Sequence, residues 1–134
     1  ERPLAQIYRV LKPGGQFVVG QWVPYGAIDG PWMFQITKKK QPLFVNNLYH
    51  EDMVALLSQA GFVDIEAQEY FQWEDIDNWI ATWETPEIHR HQVRDLYHHC
   101  PAEVRAAHPF EISATGGIRD CWRWMVYSAT KPLR

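Results

Sequence analysis

Apolar positions near the amino end of the chain repeat with the period of a helix. Leu4, Ile7, Tyr8 and Leu11 fall at i, i+3, i+4 and i+7, forming one stripe, and Pro3 is tolerated in the first turn. Pro13-Gly14-Gly15 ends that element: the proline disfavours helix at Lys12, and the glycines supply whatever positive φ a tight turn needs. Phe17 to Val23 then reads as a strand. Its near-continuous apolar character predicts burial on both faces, as in a parallel sheet covered by helices.

From Pro24 to Leu48 the periodicity breaks into a long connection carrying Tyr25, Trp32, Phe34 and Phe44, with a short helical stretch at Trp32 to Thr37. Glu51 to Ala60 reads as a helix. Met53, Leu56, Leu57 and Ala60 share a face, acidic residues fill the first turn, and Gly61 is placed as a left-handed stop. Phe62 to Tyr70 alternates through Val63, Ile65 and Ala67 as a strand. A helical pair follows: Ile76, Trp79, Ile80 and Trp83 form one stripe, which predicts core positions for both tryptophans, and Glu87 to His99 forms a second helix. Thr115-Gly116-Gly117 is a turn before a last strand, Ile118 to Thr130.

The order is helix, strand, loop, helix, strand, helical insertion, strand, which predicts an α/β sheet whose last strand joins antiparallel. All 134 residues fit one domain, and the helical insertion covers about 74–110. In a sheet of only three strands the flank of the Phe17–Val23 strand has no partner. A long apolar edge of that kind is an aggregation hazard, so another element should cover it. The expectation is a missing half of the sheet, replaced by another chain in a homo-oligomer or swapped dimer.

Composition narrows the classes. A net charge of −3 argues against nucleic acid as the partner, and Lys38-Lys39-Lys40 reads as a solvated loop. Two cysteines without a C-x-x-C motif suggest reduced thiols and a cytoplasmic setting, and no apolar run approaches the ~20 residues of a bilayer span. Seven Trp, six Tyr and six Phe are a heavy aromatic load, usable in a core or in a ligand pocket. His89, His91, His98, His99 and Cys100 cluster, but no paired short-spacing ligand motif is present. A solvated His-rich helix face is expected there, with no metal. His50 and His108 read as capping or surface residues, and no catalytic residue is singled out.

Three segments carry a family resemblance. "LAQIYRVLKPGGQFVVGQWV" resembles the helix and fifth strand of class I S-adenosylmethionine-dependent methyltransferases (type 11-like). "HEDMVALLSQAGFVDIEAQEY" is similar to their next helix and sixth strand, and "WRWMVYSATKP" to the closing seventh strand. Together these cover about two-fifths of the chain. The resemblance implies a partial Rossmann-like methyltransferase sheet: the last three strands, the final one antiparallel, with a helical lid insertion. The chain would then be the carboxyl-terminal half of a longer enzyme, supplying the acceptor side and the lid.

In such a family the acceptor wall comes from the loop after the fifth strand and the insertion before the seventh. The resemblance thus points to Gln21, Trp22, Tyr25, Trp32, Phe34 and Arg119 as substrate-binding residues, with Trp73, Trp79 and Trp83 nearby. They suit a small apolar or aromatic methyl acceptor with one polar or anionic handle. Arg119 also has a local ion pair with Asp120 open to it. No G-x-G-x-G follows a strand, because Gly14-Gly15 and Gly116-Gly117 both precede strands. S-adenosylmethionine is therefore expected in the full-length protein and not on this chain alone, which should be inactive by itself. The alternative is a non-catalytic ligand-binding or dimerisation domain with an aromatic pocket.

Overall fold

The computed structural model describes residues 2–134. In chain order the elements are α1 (Arg2–Val10), β1 (Gln16–Trp22), α2 (Gly30–Lys40), α3 (His50–Gln59), β2 (Val63–Asp75), α4 (Ile76–Ile80), α5 (Glu87–His98), α6 (Ala102–Ala107), β3 (Phe110–Ile112) and β4 (Ile118–Thr130). They divide into two compact units. The first holds the residues up to Val23 with Leu48–Tyr70 and Trp124–Arg134, and the second holds Pro24–Asn47 and Phe71–Arg123.

In the first unit β4 lies between β1 and β2, so the last strand of the sequence is central in space. β1 runs antiparallel to it in a register that sets Phe17 opposite Ala129 and Trp22 opposite Trp124. The core gathers Val23, Met53, Leu57, Phe62, Met125, Tyr127 and Ala129, with the α1 stripe of Leu4, Ile7, Tyr8 and Leu11 packed on it. Tyr8 meets the Phe62 ring edge-on at 5.1 Å, and Phe17 stacks on the same ring at 5.8 Å.

Two helix ends show how local chemistry fixes this unit. Lys131 Nζ donates to the carbonyls of Tyr8 and Leu11 at 2.7 and 2.8 Å, satisfying groups left open where Pro13 stops α1. At the end of α3, Phe62 N donates to Leu57 O and Gly61 N to Ser58 O, a Schellman closure. Gly61 has φ of +94°, as the sequence requires of a left-handed stop. Its α-carbon lies so close to the Tyr8 ring that a β-carbon there would meet the ring at 3.3 Å.

In the second unit β3 pairs antiparallel with the start of β4, Phe110 opposite Asp120. The helices α4, α5 and α6 lie between β2 and β3. Arg94 ties α5 to the chain on either side: it pairs with Asp77, and its Nη2 donates to Gly116 O at 2.8 Å.

Several expectations are corrected. Phe17–Val23 is not buried on both faces within this chain: β1 is an edge strand, with Val18 60% exposed while Phe17 and Val19 turn to the core. The α4 stripe stops after five residues, leaving Trp83 90% exposed rather than in the core. α2 is longer than the sequence suggested, and it places Lys38, Lys39 and Lys40 in its last turn rather than in a loop. Lys38 Nζ there donates to the carbonyls of Pro42 and Phe44. Strand β3 had no sequence signal.

Candidate functional site

The second unit contains a closed ring of buried polar groups built on His108. Its Nδ1 lies 2.7 Å from Asp29 Oδ2 and its Nε2 2.7 Å from Asp120 Oδ1, and all three residues are 0% exposed. A ring that faces a carboxylate oxygen from each nitrogen donates to both as an imidazolium. Burial works against that charge, but hydrogen bonds to Asp120 and Asp29 outweigh it and push the His108 pKa up to about 9.

Asp29 is also buried against its charge. The bonds from His108 and from the backbone N–H groups of Tyr25 and Gly26, at 3.0 and 2.8 Å, hold its carboxyl below the usual range. Tyr97 donates its hydroxyl to Asp120 Oδ2 at 2.5 Å; burial and the Asp120 charge push its own pKa well up. His108 is therefore neither a surface nor a capping residue, and Asp120 is committed to His108 and Tyr97 instead of to Arg119.

Above this ring sits Tyr25, half-buried. Its hydroxyl donates to Cys121 O at 2.7 Å, and its ring meets His108 edge-on at 5.0 Å. Burial and the bond to Cys121 raise its pKa far above the usual tyrosine range, keeping the hydroxyl protonated as a donor. Phe71, 56% exposed, stacks against Tyr25 at 6.0 Å. Further along β2, Trp73 is 42% exposed, with the Arg119 guanidinium over its ring at 5.5 Å. This side of the unit can offer a flat apolar partner two aromatic surfaces, and an anionic group a cation.

The six sequence-nominated binding residues are not all brought together. Tyr25 and Arg119 each join an exposed aromatic contact on the second unit. Trp32 is buried core: its Nε1 donates to Leu96 O at 3.0 Å, and its ring stacks with Phe110 at 5.6 Å. Phe34 packs on Phe44 and lines a groove of about 930 Å³ between α2, α5 and α6. Ile28, Leu96 and Val104 give that groove apolar walls, and Lys39, Asp95 and Glu103 charged ones. Gln21 and Trp22 lie half-buried at the end of β1 in the first unit.

Sequence reasoning missed Asp29, Asp120 and Phe71, and placed His108 wrongly. One signal was available. Ile118, Asp120 and Trp122 alternate onto one face of a strand, and a carboxylate on an apolar stripe needs a partner. Asp29 precedes Gly30-Pro31 at a helix start, where an aspartate reads as a cap, so its pairing across 79 positions had no local trace.

At two strand-to-helix turns, the backbone N–H groups that an adenosyl cofactor would use are already taken. A nucleoside cradle uses free backbone N–H groups at a strand-to-helix turn. In the turn from β1 to α2, the Tyr25 and Gly26 N–H groups are taken by Asp29; at the β2 to α4 junction, Asn78 N is taken by Asp75 at 2.9 Å. Among the described residues, no group of His, Cys, Asp and Glu is arranged to hold a metal ion, and Cys100 and Cys121 are free. Among the described residues, no helix is long and apolar enough to cross a membrane.

No family model and no curated protein matches the chain. Solved structures do. A candidate methyltransferase of Bacillus halodurans superposes with a TM-score of 0.84 at 17% identity, covering 96% of this chain and 61% of the other. This is a methyltransferase-like fold. The YcgJ protein of Bacillus subtilis matches the same fold with a TM-score of 0.85 at 18% identity, over 96% of this chain and 56% of the other. The chain therefore spans less than two-thirds of either structure.

Proposed function

We propose that this chain is the acceptor-side part of an S-adenosylmethionine-dependent methyltransferase and that it works with residues it does not itself contain. The observation that carries the reading is the superposition of 96% of the chain on a candidate methyltransferase that is considerably longer. The exposed edge and apolar outer face of β1 support it, because such a strand needs a neighbour. The occupied turns at Asp29 and Asp75 are in keeping with it, since neither offers free N–H groups to a nucleoside.

In this reading the chain holds the acceptor and keeps water out. The aromatic surfaces of Tyr25, Phe71 and Trp73 receive an apolar or aromatic body, and Arg119 a negative handle. Such positioning accelerates a bimolecular transfer by fixing near-attack geometry. No general base is assigned. The test is transfer of labelled methyl groups from S-adenosylmethionine by the chain extended with its upstream genomic sequence, across a panel of aromatic carboxylates and phenols. Arg119→Gln should raise KM for anionic acceptors on the order of tenfold with little change in kcat, the pattern of lost uniform binding. Equal KM values in both proteins would remove Arg119 from the site.

One observation favours a second reading, a ligand-binding domain without catalysis: the Phe34 groove is of ligand size and belongs wholly to this chain. Under that reading the 134-residue chain binds apolar aromatic probes by itself, and Phe34→Ser abolishes binding.

A further inference from the structure

Tyr25 is held from three directions by one continuous set of bonds. Its backbone N–H goes to Asp29 Oδ2, the same oxygen that His108 Nδ1 approaches. His108 Nε2 goes to Asp120, and the hydroxyl of Tyr25 returns to the carbonyl of Cys121, the next residue in β4. The path Tyr25–Asp29–His108–Asp120–Cys121–Tyr25 closes on itself around an imidazole that also touches the Tyr25 ring edge-on. Every member except Tyr25 is buried.

We propose that His108 is a positioning residue: as the cationic bridge of this closed ring, it fixes Tyr25 in the pose that stacks Phe71 and presents the pair on the exposed face. The Pro24–Asp29 loop is also tied by Arg123, whose Nη1 donates to Pro24 O at 3.0 Å, but that bond does not reach the Tyr25 side chain. The arrangement needs a group that donates in two opposite directions, which a protonated histidine does and a neutral side chain of that size does not. Loss of the bridge releases Asp29, and with it the backbone bonds to Tyr25 and Gly26.

The charged and titratable groups facing His108 are known from each element around it. They are Asp29 before α2, Asp120 and its neighbour Cys121 on β4, Tyr97 on α5 through its bond to Asp120, and Tyr25 itself, while Cys100 lies within reach of Asp120 and Arg105. Burial and Asp120 raise Tyr97 and burial raises Tyr25, so neither hydroxyl loses its proton between pH 7 and pH 10, whereas the imidazolium does.

The functional meaning of the pose rests on the acceptor-face reading, but its test needs no methyl transfer, so the two can fail separately. In the 134-residue chain, nuclear Overhauser contacts between Tyr25 and Phe71 are followed beside the His108 ring nitrogens from pH 7 to pH 10. The expected result is a doubly protonated ring at pH 7, and loss of the Tyr25–Phe71 contact at the same pH as loss of the second ring proton. The His50–Tyr127 pair, 3.2 Å apart in the first unit, should not change. A Tyr25–Phe71 contact that outlasts the imidazolium overturns the proposal. His108→Gln should lose the contact at pH 7, and its persistence in the folded variant would overturn the proposal as well. Should that variant fail to fold, the wild-type titration decides alone.

Discussion

Raising the pH should destabilise this chain through a single buried group. His108 titrates near pH 9 in the folded state against an ordinary 6.5, because Asp29 and Asp120 each accept a bond from it at 2.7 Å. One pH unit of such difference corresponds to about 1.4 kcal/mol, so the imidazolium contributes on the order of 3 kcal/mol. A raised folded-state pKa places that stability fully below pH 6.5 and removes it progressively as pH climbs through 9. Asp29 works in the opposite sense: its depressed pKa contributes stability above the ordinary carboxylate range and loses it under strong acid. For a chain of this size a 3 kcal/mol change is roughly 10 °C in Tm. Circular dichroism melts at pH 6 and pH 9.5 measure it. His108→Gln should melt lower at pH 6, because it leaves two carboxylates buried without a cation, and should lose most of the alkaline slope. Wild-type melts that coincide at the two pH values would refute the argument, and so would an unchanged slope in the variant.

Other perturbations follow from the same contacts. Tyr97→Phe removes the hydroxyl bonded to Asp120 and leaves a buried carboxylate oxygen unsatisfied, so chemical denaturation should show a loss of about 1–3 kcal/mol. Gly61→Ala puts a β-carbon on a φ of +94° and against Tyr8, and should cost about 1–2 kcal/mol by the same measurement. Trp32→Ala should cost about 3–5 kcal/mol, since the ring fills the second unit's core, whereas Trp83→Ser should stay within about 0.5 kcal/mol. Thermal melts of the last two, side by side, check the reversal of roles that the sequence stripe had given Trp83.

Much of the fold was legible because it is encoded locally. The α1 stripe, the Pro-Gly-Gly stop, Gly61 and the β4 run each depend on neighbours within one or two turns, and each lies where the pattern put it. The environment of β1 was legible only by half. A near-continuous apolar run states that both faces want cover, but a chain that provides one neighbour leaves Val18 in solvent. The Trp79–Trp83 stripe misled because periodicity cannot sense where a helix ends: α4 stops at Ile80 and the next residues turn outward. The buried ring was illegible for a different reason. Asp29, His108 and Asp120 are brought together by the packing of the α2 entry, the end of α6 and β4, and no spacing along the chain announces it. Among the nominated residues, Tyr25 and Arg119 gained partners on an exposed face. Trp32 was absorbed by packing against Tyr97, His108 and Phe110.

The central claim is that these residues form the acceptor side of an enzyme whose cofactor is held by sequence lying outside them. Calorimetric titration of S-adenosylhomocysteine into the chain, with and without its upstream genomic sequence, tests it most directly. The account predicts a saturable heat for the extended protein and none for the 134-residue chain. An extended protein that ignores the nucleoside, or a short chain that binds it as tightly, would contradict the account.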